Sequence, residues 1–201
     1  AEAAVVEWGH SAIISALDGA VASFGPQTSR GAYFEVEAMP VLADPVDGNV
    51  DKLFTKEGAA EQVDLTTLKL KNTDEVEGNM VVMTNAAGLS GVEMALLAKN
   101  SGAAALMVVN TDKDHPDYIY SLDTEADDEA TYAAEHIDIP VIMVSRTSGN
   151  VLRTVTVQEG MTQSEIKALP NHGMPERVRL YDGGDRPFFE DVTSAGTQPT
   201  V

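Results

Sequence analysis

Four histidines, one run of alternating carboxylates and one aromatic pair are the side chains of this chain whose type and spacing bear most on chemistry. His10, His115, His136 and His172 stand far apart. None lies three or four residues from another, so no helix face presents two imidazoles to one metal ion. The chain has no Gly-x-Ser-x-Gly elbow, no His-Glu-x-x-His zinc helix, no Gly-Lys-Ser/Thr phosphate loop and no Gly-x-Gly-x-x-Gly turn. Four ordinary histidines are therefore a better reading than a Ser-His-Asp set assembled across the fold. No catalytic residue is assigned.

The carboxylate run is Asp123-Thr-Glu125-Ala-Asp127-Asp128-Glu129. Oxygens at alternate positions are what a calcium loop needs. An EF-hand is rejected, because its glycine position holds Asp128 and its bidentate glutamate position holds Ala134. Asp123, Glu125, Asp127 and Glu129 are left as candidate ligands of an irregular Ca²⁺ site, the one cofactor considered. The competing reading is a solvated loop, or a docking face for a basic partner through Asp127, Asp128 and Glu129. Near the end of the chain, Phe188-Phe189 follow Arg186-Pro187 in Gly/Pro-rich sequence. Two adjacent aromatics there either pack back on the domain or enter a partner. Arg186, Phe188 and Phe189 are accordingly candidate contact residues.

Composition narrows the partners. The 201 residues are 43% hydrophobic and 22% charged, close to globular norms. Against 13 basic residues stand 32 acidic ones, for a net charge of -19. Such a field repels phosphate, so nucleic acid and anionic lipid are poor partners, and other protein subunits or a peptide ligand are better ones. The absence of cysteine removes disulfides, zinc-thiolate sites and thiol nucleophiles together. No apolar run reaches the roughly 20 residues of a membrane span. The opening Ala1-Glu2-Ala3-Ala4 reads as a processed end or as a trimmed one. No Asn-x-Ser/Thr acceptor occurs. A lumenal, periplasmic or extracellular space is expected, with the thylakoid lumen and secretory compartments among those that fit.

The elements that must position these residues are clearest in the middle of the chain. Residues 79–84 form a short apolar run, expected as a buried strand. Ser90 with Glu93 makes a capping box for a helix over Val92–Asn100, which Gly102 ends. Ala103–Asn110 is a second apolar strand, completing a strand–helix–strand unit. Residues 112–138 read as an acidic loop with a helical turn or two. Ile139–Ser145 is a third buried strand, and Thr147 or Ser148 is the expected cap of a short helix after it. Met80, Met83, Met94, Met107 and Met143 are assigned to the core. Ala3–Leu17 suits a helix or a short strand at Val5–Trp8, Tyr33–Val46 suits interrupted strands, and Val155 with Val157 suggests another strand. Arg177–Tyr181 alternates like a strand.

Five stretches together resemble one known family. They are Ala22-Ser-Phe-Gly-Pro26, Met39-Pro-Val-Leu-Ala-Asp-Pro-Val-Asp-Gly48, Gly78-Asn-Met-Val-Val-Met83, the run from Ala98 to Asn110, and Ile139-Pro-Val-Ile-Met-Val-Ser145. Their order and spacing over residues 20–158 resemble the protease-associated (PA) domain. Two departures stand out. Asn49 occupies the position of the family's turn cysteine, and Asn85–Gly91 lacks the Arg, Cys and Phe often found there. The resemblance implies an α+β fold, with a PA-like β-barrel or sandwich core, flanking helices and a βαβ unit. Residues 1–19 and 159–201 would be irregular extensions around a domain at 20–158. It also implies a non-catalytic interaction module. The expected role is an accessory or scaffold subunit of a larger, lumenal-side complex, with a peptide-capturing or sorting module as the alternative.

Overall fold

The computed structural model describes residues 2–10, 13–26, 35–50, 68–120, 122–124, 127–151, 160, 162–168 and 177–182. Three short apolar runs make its centre. β5 (Met80–Thr84), β6 (Ala105–Val109) and β7 (Val141–Val144) are almost wholly buried along their length. Strands buried on both faces read as continuous apolar stretches and pair in parallel, with helices carrying the chain back between them. β5 and β6 pair in parallel, and so do β6 and β7. β4 (Pro40–Leu42) adds a fourth parallel strand beside β5.

The crossover from β5 to β6 is α2 (Gly91–Asn100). Its capping box is formed as the sequence requires: Ser90 Oγ accepts from the Glu93 N–H at 3.1 Å, and Glu93 Oε1 accepts from the Ser90 N–H at 2.9 Å. At the other end Gly102 has a φ of 86°, and the N–H groups of Gly102 and Ala103 close on the carbonyls of Lys99 and Ala98. That pattern is a Schellman stop, which needs a residue without a Cβ penalty. The crossover from β6 to β7 runs through the acidic insertion. More of it is helical than the turn or two expected: α3 (Asp127–His136) has ten residues. Ala133 and Ile137 are buried in the same core as α2, which gives this segment an apolar anchor. Lys99 of α2 ties to it through the His136 carbonyl and an ion pair with Asp138 at 3.3 Å. Between β4 and β5 stands the one-turn helix α1 (Thr73–Val76).

Beyond β7 the sheet turns antiparallel. β2 (Ile13–Val21) pairs with β7, β1 (Glu2–His10) with β2, β8 (Arg177–Asp182) with β1, and β3 (Glu35–Ala38) with β8. The order is β3-β8-β1-β2-β7-β6-β5-β4. The first and last strands of this order, β3 and β4, are separated in the chain by Met39 alone. The two ends of the sheet therefore meet, and the sheet curls into a barrel. Val21, Val36, Ala38, Leu42, Met80, Val82, Ala105, Met107, Ile142, Val144 and Val178 pack together as its interior. The alternate residues Val81, Met83, Leu106, Val108, Val141 and Met143 point outward and pack under α2 and α3.

The PA-like barrel with flanking helices and a βαβ unit is present. Residues 1–19 and 159–201, expected as irregular extensions, supply β1, most of β2 and β8 to the sheet. The alternative of an N-terminal helix gives way to strand. The five methionines assigned to the core are all buried. The short helix after β7 is α4 (Arg146–Val151), and its cap is Ser145 rather than Thr147 or Ser148: Ser145 Oγ accepts from the Ser148 N–H at 3.1 Å. α5 (Gln163–Ala168) follows. The strand suggested at Val155 and Val157 lies outside the described residues.

Candidate functional site

Parallel strands in register end together, and the chain must leave them by loops at their carboxyl edge. In open parallel sheets that edge is where ligands bind. Here a cavity of 210 Å³ opens at the ends of β4, β5 and β6. Leu42, Val82 and Val109 give it an apolar floor, with Val46 and Thr84 beside them. Asn110, Thr111, Arg146 and Asn150 bring polar groups to its lining. α4 comes very close to β6 at this point. A Cβ on Gly149 would collide with Val109 Cγ1, so the helix lies where only glycine fits.

The loops around the cavity are cross-braced by two asparagines at matching ends of neighbouring strands. Asn85 follows β5 and Asn110 follows β6. Asn85 Nδ2 donates to Asn110 Oδ1 at 3.3 Å. Asn85 Oδ1 accepts from the Thr111 N–H and hydroxyl at 3.0 and 2.8 Å. Asn110 Oδ1 also accepts from the Asp112 N–H, and its Nδ2 donates to the Tyr118 carbonyl at 3.2 Å. The Thr147 N–H donates to the Pro116 carbonyl at 3.0 Å, fixing the loop to the start of α4.

Held this way, residues 112–120 display aromatic rings to solvent. Tyr118 is 57% exposed and Tyr120 41%. The His115 and Tyr118 rings stack with centroids 4.7 Å apart, and Tyr120 meets Tyr118 edge-on at 6.1 Å. Asp112 organises them. Its carboxylate accepts from Tyr120 Oη at 2.7 Å, meets His115 Nδ1 at 3.0 Å and accepts from the Asp114 N–H at 2.9 Å. Hydrogen bonds to the charged form favour that form. The Tyr120 hydroxyl, then His115, then the Asp114 amide lower the Asp112 pKa from 3.8 to about 2. The same bond raises the pKa of the Tyr120 phenol.

Of the candidate ligand and contact residues singled out in the sequence, the described ones lie in α3 and in the connection before it. Asp123 is exposed in the connection that leads to α3. Asp127, Asp128 and Glu129 open α3, so the alternation read as a loop continues in helical backbone. Glu125, Arg186, Phe188 and Phe189 lie outside the described residues. Among the described residues, no three His, Asp or Glu side chains come together as a metal cluster. No described helix is long and apolar enough to cross a membrane. Sequence reasoning passed over Asn85, Asn110, Asp112, Tyr118, Tyr120 and Arg146. The available signal was position: an asparagine just after each of two neighbouring parallel strands, then two tyrosines in an otherwise acidic stretch.

The barrel carries its helices outside the parallel half and a cavity of side-chain size at the carboxyl edge of that half. The PA domain family model matches residues 38–152, more than half of the chain, and the chain belongs to that family. PA domains serve in protein interaction or substrate recognition. Among solved structures, BSAP, a zinc aminopeptidase from Bacillus subtilis, is similar with a TM-score of 0.50 and 13% identity. The likeness covers 89% of this chain and 30% of that one, and at this identity it shows the fold alone. The chain thus spans under a third of that enzyme. No curated protein sequence matches it.

Proposed function

We propose that this chain is a non-catalytic interaction module acting as an accessory or scaffold subunit of a larger protein complex. The observation that carries the reading is the rim of exposed, braced aromatic rings beside the apolar cavity. Exposed aromatics are enriched where proteins meet, and here the loop bearing them is already ordered by Asn85, Asn110 and Asp112, which lowers the entropy cost of docking. The cavity favours a second reading, peptide capture: at 210 Å³ it is smaller than the roughly 300–1,000 Å³ that whole small-molecule ligands occupy, and it suits one side chain. The zinc aminopeptidase likeness brings no activity to this chain.

The test is the native mass of the protein released gently from its source, with crosslinks to whatever accompanies it. A stoichiometric complex crosslinked through Lys113, beside the aromatic rim, is the expected result. A lone species with no companion would overturn the subunit role. Peptide binding by that lone species would then favour capture.

A further inference from the structure

The polar groups lining the cavity are not all spent in the same way. The Asn110 side-chain oxygen already accepts from Asn85 Nδ2 and the Asp112 N–H. The Thr111 hydroxyl already donates to Asn85 Oδ1. Arg146, Asn150 and Thr84 differ: among the described residues their side chains make no hydrogen bond or ion pair. Arg146 and Asn150 stand one turn apart on α4, so both reach the cavity from one helix face. A guanidinium offers five N–H donors and no acceptor, and an amide adds two more donors. The unspent capacity is therefore mostly donor. Arg146 is also the one charged residue among those lining the cavity, half-buried, in a chain of 32 acidic and 13 basic residues. A carboxylate suits it, because a guanidinium binds that group through two parallel N–H bonds.

The other walls are apolar. Leu42, Val82 and Val109 form the floor, and Val46, 44% exposed, stands beside them. A ligand that matches both parts carries an aliphatic group and a carboxylate within the span of one residue. In extended chain, neighbouring side chains point to opposite sides, so an aliphatic residue and an adjacent Asp or Glu do not serve together. At the end of a polypeptide the side chain and the carboxylate leave the same Cα.

We infer that the cavity captures the free C-terminus of a partner polypeptide, with the terminal aliphatic side chain on the apolar floor and the α-carboxylate held by Arg146 and Asn150. This rests on the peptide-capture reading above and adds the ligand's chemistry to it. The acidic excess of the chain repels an anion at long range, and about 0.15 M salt confines that repulsion to about 8 Å.

The probes are four short N-acetylated peptides, labelled and titrated into the full chain at that salt. One ends in leucine with a free carboxylate, one in leucine amide, one in serine with a free carboxylate, and one in leucine amide preceded by aspartate. The free-acid leucine peptide should bind. Amidation should weaken it about tenfold or more, the loss of a charge-assisted pair, and the internal aspartate should not restore it. Serine in place of leucine should weaken it about tenfold, the loss of one buried aliphatic group. Arg146→Gln, checked by thermal melting, should weaken the free-acid leucine peptide about tenfold and leave the amide unchanged. Equal binding of acid and amide by the native chain overturns the inference. So does an internal aspartate that serves as well as the terminus, or a preference for the acid that survives Arg146→Gln. Free leucine binding as tightly as the peptide would also overturn it, making the occupant an amino acid. If the leucine peptides bind without regard to the carboxylate, this inference falls and peptide capture stands. If no leucine peptide binds, peptide capture falls as well.

Discussion

The two halves of the barrel are built on opposite rules. In β5, β6 and β7 both faces are buried, and the sequence is nearly pure Val, Leu, Ile and Met. In β3 the burial alternates, with Glu35 and Glu37 outward and Val36 and Ala38 turned to the interior. β8 continues the pattern: Val178 is buried in the interior, while Arg179 pairs with Glu35 at 3.2 Å on the outer side. The parallel half has a second core, under α2 and α3, while among the described residues the antiparallel strands give Val21, Val36, Ala38 and Val178 to the interior one. The strands whose ends carry the cavity are thus packed on both faces. A recognition loop gains from standing on packed elements, because its geometry then survives docking.

Core truncations should show the largest difference. Leu106→Ala, fully buried beneath the helices, should cost about 2–5 kcal/mol. Val36→Ala, half-buried on β3, should cost about 1 kcal/mol. Equal losses in urea unfolding would erase the contrast between the halves. Next comes Gly149→Ala, which drives a methyl against Val109 and should cost about 1–3 kcal/mol while opening the cavity rim. A wild-type melting curve for that variant would show that α4 is free to shift. The smallest effect is the pH response of the rim. The carboxyl of Asp112 has a folded pKa of about 2 against an ordinary 3.8. A depressed pKa means its contribution is full above the ordinary value and is lost as pH falls through about 2. The carboxyl carbon shift of Asp112 should therefore titrate below that of an unperturbed aspartate, and the Tyr120 signal should move with it. Titration near 3.8 would mean that the three hydrogen bonds are not kept in solution.

The same contrast decides what was legible. Continuous apolar runs, the Ser90–Glu93 box and the Gly102 stop are local signals, and they place β5, α2, β6 and β7 from the sequence alone. The PA resemblance rests on those same stretches. The antiparallel half rests on partners from the two ends of the chain, such as Trp8 opposite Val178. No local window contains both, so the strands of the N-terminal stretch were ambiguous with a helix, and residues 1–19 looked like an extension. α3 reads mostly as loop in the sequence because its acidic residues outweigh the small apolar stripe through Ala133 and Ile137. The rim was missed for a different reason. Asn85 and Asn110 are 25 residues apart and come together only because β5 and β6 are parallel neighbours ending at the same level.

Met39 has a consequence for how partners are met. Because the chain passes through this one residue from pairing with β8 to pairing with β5, the outermost strands of the sheet measure four and three residues. Among the described residues, those are the stubs left for an incoming strand, and the shorter begins with Pro40, which has no N–H to offer. Recognition by strand addition draws its affinity from a long row of main-chain hydrogen bonds. Among the described residues the two outermost strands are too short for such a row, which favours recognition of a visiting chain by its side chains, one at a time.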